Sequence, residues 1–281
     1  MGNLSDVKRR LSTVKQTRQI TRAMQTVSVA KMRKAEEVNH RSAAYLALIT
    51  DVMRNVNARD CDFAPPAVGK DVLLVLSSDR GLCGGFDNGN LSVAQKAIDD
   101  DTLVMPIGQT AVNFFKSASN VDMRFGHLSA VGNGAAKEIS DYLLKQYGNG
   151  VKSISVAYST VDKRVVNPTV ERLLPITDIK SDGNSGAEVL FEPSPEQVLR
   201  ALVPLYLSGK IYGALTANFA AEQSARHQAM SAATDSADEL IVQLAGEYNR
   251  ERQAAVTGQI VEIVGATAAL SRKGGSGEKR F

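Results

Sequence analysis

Three stretches of the 281-residue chain carry residue types that could do chemistry. The first is Ser77-Ser78-Asp79-Arg80-Gly81-Leu82-Cys83-Gly84-Gly85-Phe86, a glycine-rich segment that follows the apolar run Asp71–Ser77. A loop of this kind after the first strand of an α/β sheet is where phosphates and nucleotides dock, and Cys83 beside Arg80 could serve as a nucleophile. Neither G-x-G-x-x-G nor G-x-x-x-x-G-K-[ST] is present, and no acid stands at the distance that a ribose needs. No histidine is near in sequence to activate the thiol. The competing reading, a tight turn packed against the long helices, is the favoured one. The second stretch, Tyr248–Thr257, concentrates hydrogen-bonding groups, with Arg252 and Gln253 as fork-like donors for the carboxylates or carbonyls of a partner. An ordinary solvated helical turn accounts for it equally well. The third is a basic run from Lys8 to Lys34 that could meet nucleic acid or an anionic membrane. Its charges lie on several faces and no aromatic residue precedes Tyr45, which argues against base stacking. A solvated helix face and an acidic protein partner remain for it. Cys61 and Cys83 form no CxxC pair or disulfide framework and suit a reducing compartment; His40, His127 and His227 build no metal-ligand cluster.

The elements that would position these groups follow from proline and charge. All 8 prolines fall between Pro65 and Pro204, so both ends of the chain are open to uninterrupted helix. The net charge of +3 is unevenly spread: residues 1–60 hold 12 Lys/Arg against 5 Asp/Glu, and residues 61–195 hold 12 against 16. Residues 196–270 hold 5 against 8, and the last eleven hold 4 against 1. From the N-terminus, Leu4, Val7, Leu11 and Val14 stand at heptad spacing, Ile20, Met24 and Val27 continue the stripe, and Tyr45, Ile49, Val52 and Val56 resume it. Ser5 or Asn3 is a candidate N-cap. A helix of some 55 residues is a rod of roughly 80 Å, and one this polar needs a partner helix. Residues Leu205–Leu270 supply it. Gly213–Ala237 within them is crowded with alanine and serine, and Leu240, Leu244, Ile260, Ile263 and Val264 restore a bulkier face.

Residues 70–190 alternate between patterns. Asp71–Ser77, Thr102–Ile107, Val121–Phe125, Val151–Val161 and Val170–Ile176 read as strands, and Asn90–Ile98, Thr110–Ala118 and Gly134–Tyr147 as helices. This predicts a compact α/β domain with a largely parallel sheet, followed by a flexible loop at Ser181–Ala187. The fold expected is an antiparallel coiled coil of terminal helices (1–60 and 195–270) with an inserted Rossmann-like α/β domain (70–190) and a flexible tail (271–281). No run is apolar and long enough to span a bilayer. The Arg- and Ser/Thr-rich start also has the composition of a mitochondrial presequence, a reading weakened because the helical pattern runs on to about Ala58.

At these segments the sequence resembles the gamma subunit family of F-type ATP synthases. The resemblance rests on Ile20-Thr21-Arg22-Ala23-Met24-Gln25-Thr26-Val27-Ser28-Val29-Ala30-Lys31-Met32, on Ser77–Gly85 and on residues 228–270, in order along the chain. It implies a central rotor shaft that has no catalytic site and no cofactor. Its terminal helices would turn inside a hexamer of alpha and beta subunits, and its α/β domain would sit with the epsilon subunit on the c-subunit ring. Proton-driven rotation would then be coupled to ATP synthesis and hydrolysis at the beta-subunit sites. It further implies contacts to beta-subunit loops through Arg252 and Gln253 and near Met24, and an apolar bearing at residues 262–270. Thr257 and Glu262 join these as contact residues, and Asp79, Arg80, Gly81, Cys83, Gly84 and Gly85 are the central-domain motif.

Gly258-Gln259 departs from the family's usual Gln-Glu pair, and Ser271–Phe281 extends past its usual end. A start at Met1 close to the first motif favours a bacterial form, peripheral on the cytoplasmic face of the inner membrane, over a mitochondrial one on the matrix side. Neither nucleic acid nor direct membrane insertion is expected. The alternative class is an α/β enzyme with helical oligomerisation arms and Cys83 or Asp79 as its chemistry.

Overall fold

The computed structural model describes residues 2–56, 69–126, 133–176 and 191–274. Helix α1 spans Gly2–Asn55, so Ser5 and Asn3 lie inside it and neither is an N-cap. Strand β1 is Lys70–Leu76, helix α2 Phe86–Lys96, strand β2 Leu103–Ile107 and helix α3 Gln109–Phe115. Helix α4 (Asn133–Gly148), strands β3 (Val151–Asp162) and β4 (Val165–Leu174) and helix α5 (Pro195–Gly274) complete the order. The loop expected at Ser181–Ala187, together with Cys61 and His127, lies outside the described residues. The helix reaches Gly274, so residues 271–274 of the expected tail are helical.

The chain divides into two compact units, Met1–Met24 with Met230–Phe281, and Gln25–Ala229. In the first, α1 and α5 meet at a hydrogen bond of 2.8 Å between the Thr21 and Thr234 hydroxyls and an ion pair of 2.5 Å between Arg18 and Asp238. In the second, Thr216 donates to Asn39 at 3.3 Å, and a Cβ added at Gly209 would stand 3.3 Å from Leu46. In each unit the paired residue numbers add to 255 or 256, the register of antiparallel helices.

Most of the buried residues of α1 stand on a seven-residue spacing: Val7, Thr21, Ser28, Ala35, Ser42 and Ile49, with Val14 half-buried on the same line and Met53 buried one turn past Ile49. A strict seven-residue repeat is the pattern of a left-handed supercoil. The expected stripe matches this seam in part: Val7 and Ile49 lie on it, Val56 is buried, and Leu4, Leu11, Val14 and Met24 are half-buried. Ile20 is 60% exposed, and Val27, Tyr45 and Val52 are exposed as well. The cause is size. The facing positions on α5 include Gly209, Gly213 and Thr216, which let the axes come close, so between Thr21 and Ser42 the seam takes Thr, Ser and Ala, with the larger Val7 and Ile49 towards its two ends.

The sheet runs in the order β2-β1-β3-β4. Strand β1 is parallel to both β2 and β3, but β3 and β4 are antiparallel, which makes the sheet mixed. The hairpin turns on Lys163 and Arg164 at φ 46° and 71°. Two residues of positive φ match the right-handed strand twist, a role that usually falls to Asn-Gly. The chain therefore gives no turn signal there, and β4 begins at Val165 rather than Val170. The strand expected at Val121–Phe125 reduces to one bridge between Val121 and Val104.

One face of the sheet (Val72, Leu74, Leu76, Ile154, Val156) packs against Ile139 and Leu143 of α4 and against Leu207, Ile211 and Leu215 of α5. The other (Leu73, Val75, Ala157) packs against Leu91 and Ala94 of α2 and Ala111 and Phe115 of α3. The last helix starts at Pro195, as the expected bounds 195–270 have it, and Pro204 lies inside it. Pro204 removes one backbone donor, and the buried Val203, Tyr206 and Leu207 around it carry the helix through.

The seam yields a paired test by chemical denaturation. Ser28→Leu, at a position 2% exposed, should overpack the helix pair and cost about 1–3 kcal/mol. Val27→Ser, at the exposed neighbour, should stay within about 0.5 kcal/mol. The reverse order would place the seam on the apolar stripe.

Candidate functional site

The central-domain motif begins where β1 ends. The Ser77 hydroxyl donates to the Ile107 carbonyl at 3.2 Å and accepts the Ala111 amide at 2.9 Å, which ties β1 to β2 and α3. Only glycine fits at position 108: its φ is 97°, and an added Cβ would lie 2.5 Å from the Ser77 carbonyl oxygen. The Ser78 amide and hydroxyl both donate to Asp87, at 2.8 and 2.6 Å. Asp79 accepts the Gln109 amide at 3.3 Å. The loop then turns left-handed at Leu82 and Gly84, with φ 66° and 60°. That drops Cys83 and Phe86 onto Ala221 of α5 while Leu82 stays exposed.

Cys83 sits in surroundings opposite to those of an activated nucleophile. Burial, and then the negative charge of Asp87, push its thiol up from an ordinary 9.0 to about 11. The thiol donates to the Asp87 carboxylate at 3.3 Å. A reactive cysteine needs a positive neighbour to hold the thiolate, and the nearest carboxylate here does the reverse.

The crevice at the carboxyl end of β1 is filled from within. In doubly wound sheets a ligand binds where the strand order reverses, between the first strand and the neighbour on its far side. Here that place holds Asn90 of α2 and Asn218 of α5, both buried. Asn90 donates to the Leu76 carbonyl and to the Asn218 side-chain oxygen, each at 2.9 Å. Asn218 also accepts the Ser159 amide of β3 at 3.1 Å, and the Ser159 hydroxyl donates to Asn90. Four elements, β1, α2, β3 and α5, thus meet at one buried polar cluster whose members bond to one another and to the Leu76 carbonyl. Neither asparagine was singled out in the sequence. They are ordinary polar residues of helices, and their pairing spans 128 positions.

Beside the cluster an open cleft of about 590 Å³ is lined by Lys31, Asp79, Arg80, Gln109, Phe219, Glu222 and Arg226 among others. Arg226 pairs with Glu222 at 2.6 Å and donates to the Arg80 carbonyl at 2.9 Å, clamping the motif loop to α5. Burial pushes the Glu222 carboxyl up, although the Arg226 charge pulls it down. Among the described residues no group of three or more His, Cys, Asp and Glu is placed to hold a metal ion.

The helix positions named from the sequence belong to the other unit. Met24 is half-buried, and Arg252, Gln253, Thr257 and Glu262 are exposed on α5. Residues 252–268 are exposed throughout.

The thiol makes a direct test of the motif's chemistry. Because the folded-state pKa of Cys83 lies above 9.0, its contribution to stability is whole below that pH and is lost as the pH rises through about 11. Alkylation of Cys83, followed by mass spectrometry of its peptide on the native chain, should stay slow at pH 8 and accelerate only towards pH 11. Fast labelling at neutral pH would contradict an inert thiol.

The ATP synthase family profile matches residues 3–270. The ATP synthase gamma chain of Fusobacterium nucleatum is 34% identical over 284 aligned positions, covering 96% of this chain and 100% of that one. The gamma chain of Heliobacterium modesticaldum is 34% identical with the same coverage of both. A chain in the structure of Euglena gracilis mitochondrial ATP synthase (OSCP/F1/c-ring, rotational state 3) shares the fold at TM-score 0.66 and 16% identity, covering 100% of this chain and 99% of that one. A chain in the central stalk and c-ring structure of Tetrahymena thermophila mitochondrial ATP synthase does so at TM-score 0.54 and 19% identity, covering 76% and 99%. Paired terminal helices around an inserted sheet, an unreactive motif thiol and a full-length match all agree: the chain belongs to the ATP synthase gamma chain family, the non-catalytic central-stalk subunits of that complex.

Proposed function

We propose that this chain turns inside a head of alternating alpha and beta subunits and carries rotation between a membrane ion ring and the catalytic sites on beta. The observation that carries the proposal is the bare end of α5. From Arg252 to Ala268 every residue is exposed, including Val256, Ile260, Val261, Ile263 and Val264 at 49–66%. At 100° per residue these five spread over about 160° of the helix surface. That is wider than the narrow seam of a two-helix contact, and it fits a surrounding sleeve. Glu262 is the one charge between Gln253 and Leu270, so a sleeve would meet few strong bonds to break as the helix turned.

Arg252 and Gln253 stand at the margin of this bare stretch, where planar donors can engage a beta-subunit loop, with Thr257 one turn on. Met24 and the basic residues of α1 would meet an acidic beta loop at the lower contact. The excess of 12 Lys/Arg over 5 Asp/Glu in residues 1–60 supports that pairing. The α/β domain would dock on the ring with the epsilon subunit. No described helix is long and apolar enough to cross a membrane. The chain would therefore be peripheral, held through the ring at the cytoplasmic face of a bacterial plasma membrane, and its bacterial relatives at 32–34% identity support that setting.

Mixing the chain with alpha and beta subunits should give a complex with three of each, one copy of this chain, and ATPase activity. In that complex Arg252→Ala with Gln253→Ala should lower turnover by about ten- to a hundredfold, the effect of losing one charge-assisted hydrogen bond of about 1.5–3 kcal/mol where the bond acts in the rate-limiting step. Unchanged synthesis and hydrolysis would remove these two residues from the coupling contact.

A further inference from the structure

Among the polar contacts between α5 and the α/β domain, which also include Gln228 donating to the exposed Arg164 carbonyl at 2.8 Å and the Ser140 hydroxyl donating to the Pro204 carbonyl at 3.5 Å, three stand at intervals of eight residues. Lys210 pairs with Glu171 of β4 at 2.5 Å, and Glu171 also accepts the Tyr158 hydroxyl of β3 at 2.8 Å. Asn218 sits in the crevice with Asn90 and Ser159. Arg226 reaches the carbonyls of Arg80 and Gly81 at 2.9 and 3.4 Å, backed by Glu222. Eight residues advance a helix by about 12 Å and turn it by about 80° beyond two full turns. Measured around the axis from Gly209, which faces Leu46 of α1, the three stand at about 100°, 180° and 260°. They grip the half of the helix that α1 does not cover, and each does so from a different direction.

The directions matter because the apolar packing changes along α5. Below position 216 the helix presents Leu207, Ile211 and Leu215 to the core, side chains that interlock with the sheet. From Thr216 to Ala229 Phe219 is the one large apolar residue, and it lines the cleft. The buried positions there are Thr216, Asn218, Ala220, Ala221, Glu222, Gln223, Ser224 and Arg226. Alanine surfaces resist separation but offer little resistance to turning. A hydrogen bond is confined to a narrow range of angle and distance.

We propose that Lys210, Asn218 and Arg226 form a torque collar: three positioning residues that stop α5 from slipping about its own axis inside the α/β domain when the shaft is under load. The collar rests on the shaft reading and deepens it, since it says where rotation passes from the domain into the helix.

The test uses the complete ATP synthase in sealed vesicles, carrying either Asn218→Ala with Arg226→Ala, or Lys210→Met alone. ATP hydrolysis, the amount of this chain per assembled head, and ATP-driven ion pumping read by a membrane-potential dye are measured together. The expected result for both variants is an assembled complex that still hydrolyses ATP and pumps freely without load. Its limiting membrane potential should fall to less than half that of the unaltered complex, with more ATP consumed per ion as the opposing potential rises. A purely structural role would lower assembly and hydrolysis together and leave the limiting potential per assembled complex unchanged, and that result overturns the collar. So does failure of both variants to assemble, which assigns these residues to folding. If the unaltered chain itself supports no ATP-driven pumping, it is the shaft reading that fails.

Discussion

An 80-residue helix cannot support itself in water, and α5 depends on being held along its middle. The holding is done by two dissimilar surfaces. On one side α1 approaches across glycine, alanine, serine and threonine. On the other side the α/β domain reaches into the helix with buried polar groups, of which the Asn90–Asn218–Ser159 cluster is the most enclosed. The cluster occupies the carboxyl-end crevice that other α/β folds reserve for a ligand. Here that crevice holds a helix, and the satisfied bonds within it make the seat costly to leave, since a buried group stripped of its partner loses about 1–3 kcal/mol.

The seam between α1 and α5 follows from the same constraint. Branched residues would hold the helices further apart; Thr21, Ser28, Ala35 and Ser42 do not. Their polar atoms are satisfied within the pair where they face polar partners, as Thr21 does with Thr234. The branched residues left outside, Ile20 and Val27 among them, together with Val256 and Ile260 on α5, give the helices apolar surface that a single chain does not cover.

The long helices were legible in the sequence because proline is confined to residues 65–204, and the core strands because DVLLVLS and its companions are continuous apolar runs. Three features were not. Part of the helix seam was placed on Ile20 and Val27, because apolar periodicity assumes that large residues are buried, and here close approach reverses that rule. The hairpin at Lys163-Arg164 lacks the glycine that usually announces such a turn, so the last strand is expected only from Val170 and nothing in the sequence marks it as antiparallel to its neighbour. The bounds 195–270 already take the last helix past Pro204, but local propensity does not show the packing of Val203, Tyr206 and Leu207 that carries it through. At the motif, the segment Ser77–Gly85 was located by its glycines, but what it touches was hidden. Asp87, Asn90, Asn218 and Arg226 meet only because α5 returns across the sheet, and no spacing within the chain records that return.

The central proposal is that this chain is a shaft that turns inside a ring of partner subunits. Single-molecule rotation tests it most directly. The chain is assembled with alpha and beta subunits, the head is fixed to a surface, and a bead is attached to the α/β domain. On addition of ATP the bead should rotate in one direction, in proportion to the ATP hydrolysed. A bead that only fluctuates while the same complexes hydrolyse ATP would contradict the account.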